Sequence, residues 1–341
     1  MNRWWLFMIL SALVLVSCTN SAAPTSTSHP QPTLFTDRMG TAQDLIPTEA
    51  EIAAAKTALG AKGFIGIVAC NLSSEYHAAV PKSAQALADK LGLRIEVFDS
   101  ETKADRQIAA IENFVSKGAQ AIAICAVDPK VVEKAVQEAA NQGVYILQYA
   151  GRELAMNGIS ISIEDADLGC AAGQIAGDVI TKEKNGQAVV ALLDYPSLPN
   201  VVVRANQIEA CLKQTAPNAK IVGRYLGGTP ENGLASLENA LQAHADIDVV
   251  VSINDAGAFG AIKALEAAGK DPHTTIVVGI DADAQAKDLI EQGKFYRGTV
   301  DTSPGLTGEM VVNAAIKLLA GSSAPKSVRV PVAKITKNSL P

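Results

Sequence analysis

Residues Asp248 to Leu265 read DVVVSINDAGAFGAIKAL: a β-branched run, a polar turn at Asn254-Asp255, and a helix of small residues. A strand that stops at such a turn exposes its carboxyl end. In open parallel α/β sheets that end is where ligands are met, because the next helix offers its N-terminal N–H groups there. The same grammar recurs at Val277-Val278-Gly279-Ile280-Asp281. Asn254 and Asp281 are therefore expected to face one small polar ligand, with Asp255 capping the helix that follows.

Outward from this stretch the chain alternates strand and helix. Phe64 to Cys70 (FIGIVAC) is a continuous apolar run of strand length, as a parallel sheet covered on both faces requires. Helical periodicity follows from Glu75 to Leu91, then strand Arg94 to Phe98, helix Ala104 to Lys117, strand Ala121 to Cys125, helix Pro129 to Gln142 and strand Val144 to Tyr149. Asp128-Pro129 makes a cap and first turn, and Gly143 a helix stop. A second series runs from a helix at Asp167 to Lys184 through strands at Ala188, Lys220, Ile247 and Thr275 to a helix ending at Gln292. Two strictly alternating series predict an α/β fold of two doubly wound parallel-sheet lobes. A weak echo between 121–143 and 249–269 agrees with paired lobes.

The bulk numbers fit this division. The 341 residues, 48% hydrophobic and 4% aromatic, can fill two medium cores. With 29 basic against 35 acidic residues and no Lys/Arg-rich run, no electrostatic footprint for nucleic acid or an anionic membrane is present. Cys70, Cys125, Cys170 and Cys211 include no CxxC and have no His at metal-ligand spacing, so neither zinc nor any other metal is expected. Cys70 and Cys125 each end an apolar run and read as small core residues, while spacing leaves disulfide pairing open.

The first residues read as an address. Met1-Asn2-Arg3 is a positive start, and Trp4 to Val16 is apolar but short for a membrane span, as in an export signal. Leu15-Val16-Ser17-Cys18 matches the lipobox of bacterial lipoprotein signals, which implies cleavage before Cys18 and lipid on its sulfur; the alternative is an ordinary secreted protein. The expected location is the outer face of the cytoplasmic membrane, held by lipid alone. Residues 19–47, Ser/Thr/Pro-rich at first, read as a tether. Thr48-Glu49-Ala50-Glu51 is a capping box opening a helix over 48–62, which the sequence does not place against either lobe.

Four motifs carry a resemblance: Gln85-x-x-Ala88-Asp89-Lys90-Leu91-Gly92, Gln174-Ile175-Ala176-Gly177-Asp178, Ser252-Ile253-Asn254-Asp255 and Val278-Gly279-Ile280-Asp281. In this order and spacing the chain, over about residues 63 to 335, resembles the type I periplasmic sugar-binding proteins of the ribose-binding family. These are extracytoplasmic receptors of ABC importers. The resemblance implies two lobes joined by a three-segment hinge, lobe one at 63–163 plus 304–326 and lobe two at 164–303 plus 327–341, closing on a ligand held between them. It implies crossovers near 161–165, 300–303 and 328–330. The implied partners are a sugar or polyol and the transmembrane subunits of an ABC permease, with a monomeric receptor and no cofactor.

Sugar recognition needs planar polar groups that meet adjacent hydroxyls, and a flat apolar surface for the ring. The resemblance places Arg204, Asn254 and Asp281 in those polar roles from lobe two. From lobe one it points to the loop carrying Asn71, Ser74, Tyr76 and His77, with Tyr76 for stacking, and to Tyr149, Arg152 and Thr302. Departures from the family leave the ligand open among a pentose, a hexose and a polyol such as inositol: Ala150-Gly151-Arg152 replaces a usual Asp-Arg, and Gly228 an aromatic. The alternative is a lipoprotein receptor for a nucleoside or a furanone-type signal. No GxSxG, HExxH, P-loop or GxGxxG occurs, only Ser73/Ser74-x-x-His77, so catalysis is not expected.

Overall fold

Phe64–Ala69 is buried at every position, as an unbroken apolar strand covered on both faces of a sheet requires. The computed structural model describes residues 34–150 and 158–340. The first part holds β1 (Phe35–Gly40), α1 (Ala42–Leu45), α2 (Glu49–Leu59), β2 (Phe64–Ala69), α3 (Glu75–Leu91) and β3 (Ile95–Asp99). It continues with α4 (Ala104–Lys117), β4 (Ala119–Ile124), α5 (Pro129–Asn141), β5 (Tyr145–Tyr149) and β6 (Ile159–Ser162). Then come α6 (Asp165–Glu183), β7 (Val189–Asp194), α7 (Pro199–Thr215), β8 (Lys220–Leu226), α8 (Pro230–Ala243), β9 (Val249–Ser252) and α9 (Asp255–Ala267). The chain closes with β10 (Ile276–Val278), α10 (Ala284–Gln292), β11 (Tyr296–Asp301), α11 (Pro304–Leu319), β12 (Ala324–Arg329) and β13 (Ala333–Thr336).

Two sheets result. One has the order β1-β12-β6-β5-β4-β2-β3, all parallel; the other has β13-β11-β10-β9-β7-β8, parallel except that β13 runs antiparallel to β11. Each sheet carries apolar clusters on both faces, so each lobe has its own core. The chain passes between the sheets three times, after β6, after β11 and after β12.

Two expectations are corrected, and one left open is answered. Residues 35–45, read as tether, form β1 and α1: FTDRMG has no strand alternation of its own, and pairing with β12 makes it a strand. Residues 327–329, read with lobe two, stay in the first sheet, where Ser327, Val328 and Arg329 pair with β6. Cys70 and Cys125 are buried as read, and the pairing that spacing left open is a disulfide between them and another between Cys170 and Cys211.

The helix after Thr48 docks on α11 of the first lobe. Its capping box closes, with Thr48 N–H donating to Glu51 Oε2 at 2.7 Å, and Lys317 Nζ donates to Glu51 Oε1 at 3.0 Å. Burial opposes the charge on Glu51, but hydrogen bonds from Ser322, Thr48 and Lys317 outweigh it and hold the carboxyl down to about 2. In the second lobe, α6 and α7 approach until Gly169 and Gly173 meet the carbonyls of Arg204 and Ile208, leaving no room for a Cβ. The Cys170–Cys211 disulfide fixes the same pair. The arrangement sets Asp165, at the start of α6, beside Arg204 on α7.

Candidate functional site

The carboxyl ends of the two sheets bound a cavity of about 600 Å³, within the range for small-molecule sites. Tyr76, His77 and Gln148 line it from the first lobe, and Asp165, Arg204 and Asp281 from the second. Thr302, in the second crossover, lines it as well.

In the first lobe the loop after β2 is shaped by its own polar side chains. Asn71 Oδ1 accepts from the N–H groups of Ser73 (3.0 Å) and Ser74 (3.3 Å), and Ser74 caps α3 by accepting from His77 N–H at 3.3 Å. Ser74 Oγ also pairs with His77 Nδ1 at 2.7 Å. The first turn of α3 thereby directs Tyr76 and His77 into the cavity, their rings edge to face with centroids 5.2 Å apart. Burial pushes the His77 imidazole down and the Tyr76 phenol up to about 12. Tyr149, 1% exposed at the end of β5, lies in the core beside Tyr76; burial first, and then Tyr76, push its phenol up. The hydroxyls of Tyr76, Tyr149 and Thr302 are buried without a hydrogen-bond partner.

In the second lobe Asp281 has φ 131° and Ala282 φ 58°, backbone that L residues avoid and that costs about 1–3 kcal/mol per residue. Burial, then the neighbouring Asp255, raise the Asp281 carboxyl to about 8, against the pull of Arg204. Asp255 is wholly buried and accepts from Tyr296 OH (2.6 Å), Thr299 Oγ1 (2.8 Å) and Asp283 N–H (3.0 Å); burial nevertheless pushes it up to about 7. Gly279 is required beside it, since a Cβ there would run into Tyr296 OH and Asp255 Oδ1. Arg204 is held by Asp165, Nε to Oδ1 at 2.8 Å, and by the Ile253 carbonyl at 2.9 Å from Nη1, while Asn200 Nδ2 donates to Asp165 Oδ2 at 3.0 Å. Nη2 also meets Asp165 Oδ1 at 2.7 Å, so the fork is held in one orientation in the cavity wall.

Among the described residues a hydrogen bond links α3 of one lobe to α10 of the other. Ala284 N–H, at the start of α10, donates to Glu75 Oε2 at 3.1 Å. A carboxylate from α3 thus rests on the positive end of a helix in the other lobe.

A family profile described as "Periplasmic binding protein domain" matches residues 65–323. The chain belongs to the periplasmic binding protein family. This periplasmic binding protein is 27% identical over 262 residues to the ribose import binding protein RbsB of Escherichia coli (strain K12), covering 76% of this chain and 86% of RbsB. It is 30% identical to the D-xylose-binding periplasmic protein of the same organism over 252 residues, 71% of this chain and 69% of that one. Among solved structures it is similar to a solute-binding protein of an ABC transporter from Actinobacillus succinogenes 130z with bound D-allose. That likeness has a TM-score of 0.72 at 22% identity and covers 81% of this chain and 98% of the other.

Set against the residues expected from sequence, the periplasmic binding protein brings Tyr76, His77, Arg204, Asp281 and Thr302 to one cavity, with Tyr149 beside Tyr76. Asn71 and Ser74 shape the loop instead of lining the cavity. Neither Asn254 nor Asp255 takes the role expected of it: Asp255 is buried among Tyr296, Thr299 and Asp283 and does not line the cavity. Asn254 is the helix cap, its Oδ1 accepting from Gly257 N–H (3.0 Å) and its Nδ2 donating to Gly228 O (2.9 Å), and it is not among the cavity residues. Arg152 and Cys18 lie outside the described residues. Asp165 and Asn200 were not singled out. Asn200 stands four residues before Arg204, one helical turn away on the same face, a spacing that could have flagged it. Asp165 carries no such signal.

Proposed function

We propose that the chain is the extracytoplasmic substrate-binding receptor of an ABC importer and closes its two lobes on a monosaccharide or polyol. The observation that carries this reading is the pair of buried, unpartnered hydroxyls of Tyr76 and Thr302 grouped with Asp281 and Arg204 at one cavity, with the unpartnered hydroxyl of Tyr149 in the core behind Tyr76. A buried polar atom without a partner costs about 1–3 kcal/mol, and a ligand rich in hydroxyls relieves that cost by donating and accepting at several points at once. Tyr76 and His77 offer ring faces for the C–H side of a sugar. Contacts from both lobes favour the closed arrangement by differential affinity, and the permease reads closure.

Lipid on Cys18 would hold the receptor at the outer face of the cytoplasmic membrane as a monomer, with the Ser/Thr/Pro-rich segment as tether. Among the described residues no helix is long and apolar enough to cross a membrane. The deciding experiment is to denature purified protein, identify any released small molecule by mass spectrometry, and screen pentoses, hexoses, inositols and nucleosides by thermal shift. A sugar or polyol that raises the melting temperature supports the reading; a response to nucleosides alone overturns it.

A further inference from the structure

Cys70 and Cys125 each stand one residue beyond neighbouring strands of the first sheet, β2 and β4, with Cα atoms 5.2 Å apart. His77, 7 residues further along from Cys70 in the first turn of α3, comes down on this pair: a ring nitrogen and both sulfurs lie within 4.8 Å of one another. Both cysteines are buried, whereas His77 reaches the cavity. Its Nδ1 is engaged by Ser74 Oγ at 2.7 Å, which leaves Nε2 as the free nitrogen and fixes the ring as an outer-shell partner fixes a metal-ligating histidine. The 55 residues between the cysteines hide this grouping from any spacing rule.

We propose that the reduced Cys70–Cys125 pair and His77 form a redox-gated site for a thiophilic divalent ion of the zinc class in the lobe-one wall of the cleft. A dithiol reductant supplies two electrons and two protons: the Cys70–Cys125 S–S bond breaks, two thiols form, and the dithiol closes to its own disulfide. The ion then displaces the two thiol protons to solvent and takes two thiolates and His77 Nε2. Two sulfurs and one imidazole are three of the four ligands such an ion takes, and the fourth position is open to a water from the cavity. In the oxidised state the sulfurs are closed to metal, and His77 remains part of the ligand pocket.

The second disulfide is a built-in control. Cys170–Cys211 joins α6 to α7, and among the described residues no other group of three His, Cys, Asp or Glu side chains converges as this one does. The proposal does not depend on which small molecule the cleft takes.

Protein held oxidised, and protein reduced with a dithiol and desalted under inert gas, are titrated with Co²⁺ and followed by absorbance. One equivalent with thiolate-to-cobalt charge transfer is expected in the reduced sample and none in the oxidised one, with Zn²⁺ displacing the cobalt. The Cys170→Ser/Cys211→Ser variant should retain the signal, and His77→Ala should weaken binding at least tenfold. No uptake by reduced protein, equal uptake by Cys70→Ser/Cys125→Ser, or unchanged affinity in His77→Ala overturns the proposal. Circular dichroism runs alongside: reduced protein that unfolds and is not refolded by Zn²⁺ also counts against it, since a site built by these ligands returns its binding energy to the fold.

Discussion

Asp281 combines an unfavourable backbone conformation, a carboxyl raised to about 8 and a place in the cavity wall. Removing the carboxyl leaves ligand hydroxyls unpaired in the cavity at a cost of about 1–3 kcal/mol, so Asp281→Ala should weaken ligand binding by about one to two orders of magnitude in calorimetric titration, with the fold intact. Tyr149→Phe separates stability from binding: removing a buried hydroxyl without a partner should leave the ligand-free protein as stable or more so, by up to about 1 kcal/mol, while a ligand that uses the hydroxyl loses affinity. Asp255 and Asp281 also set a pH dependence. Both ionise near 4 in the unfolded chain but only near 7 and 8 in the folded one, so the unfolded chain holds fewer protons in between. Their contribution to stability is therefore complete below about pH 4 and is lost as pH rises through those folded values. Melting curves between about pH 5 and 9 should have Asp255→Asn gaining on the parent as pH rises; parallel curves would refute this. At this scale the sequence was readable where one position decides the role. Asp281 ends its strand motif and reaches the cavity, but Asn254 and Asp255 are equally good caps on paper. What separates them is Tyr296 and Thr299, 41 and 44 residues away, closing on Asp255.

Helices formed from local pattern were legible almost to the residue: α4 falls at Ala104–Lys117 and α10 ends at Gln292, as periodicity places them, and each closes on a glycine in the αL conformation. β1 was not, because its middle residues are exposed and only β12 makes them a strand. The contact of α3 with α10 through Glu75 and Ala284 was equally invisible, being 209 residues apart in sequence. An acidic group at a helix N-terminus contributes about 0.3–1 kcal/mol, so Glu75→Ala should lower ligand affinity about two- to fivefold and open the ligand-free protein in small-angle scattering. Added salt should mask the difference, because the contact is exposed. Between α6 and α7 the tolerance is smaller. Gly173→Ala places a methyl against the Ile208 carbonyl and should destabilise the protein by about 1–3 kcal/mol in urea titration.

In the whole molecule, two disulfides lie one to a lobe and none ties the lobes together, so the three crossovers remain the only covalent links across the cleft among the described residues. Closure is thus left to noncovalent contacts, and a ligand at one hundred times its Kd should add about 2.7 kcal/mol to the stability of the whole. A rise confined to one of two resolved melting transitions would mean that only one lobe holds the ligand. Paired lobes were legible from the two alternating series; the way they are interleaved was not, since strand order is a property of pairing. That order also sets a timetable. β1, near the start of the described chain, has β12 as its single neighbour in the sheet, and β12 begins at Ala324. As the chain is made, residues 35–40 wait for nearly 290 others before any partner exists, and the first lobe is completed only once β12 has been made. A chain cut before Ala324 would leave β1 an unpaired strand and β6 an open edge, and should be cleared by proteases rather than accumulate as a smaller receptor.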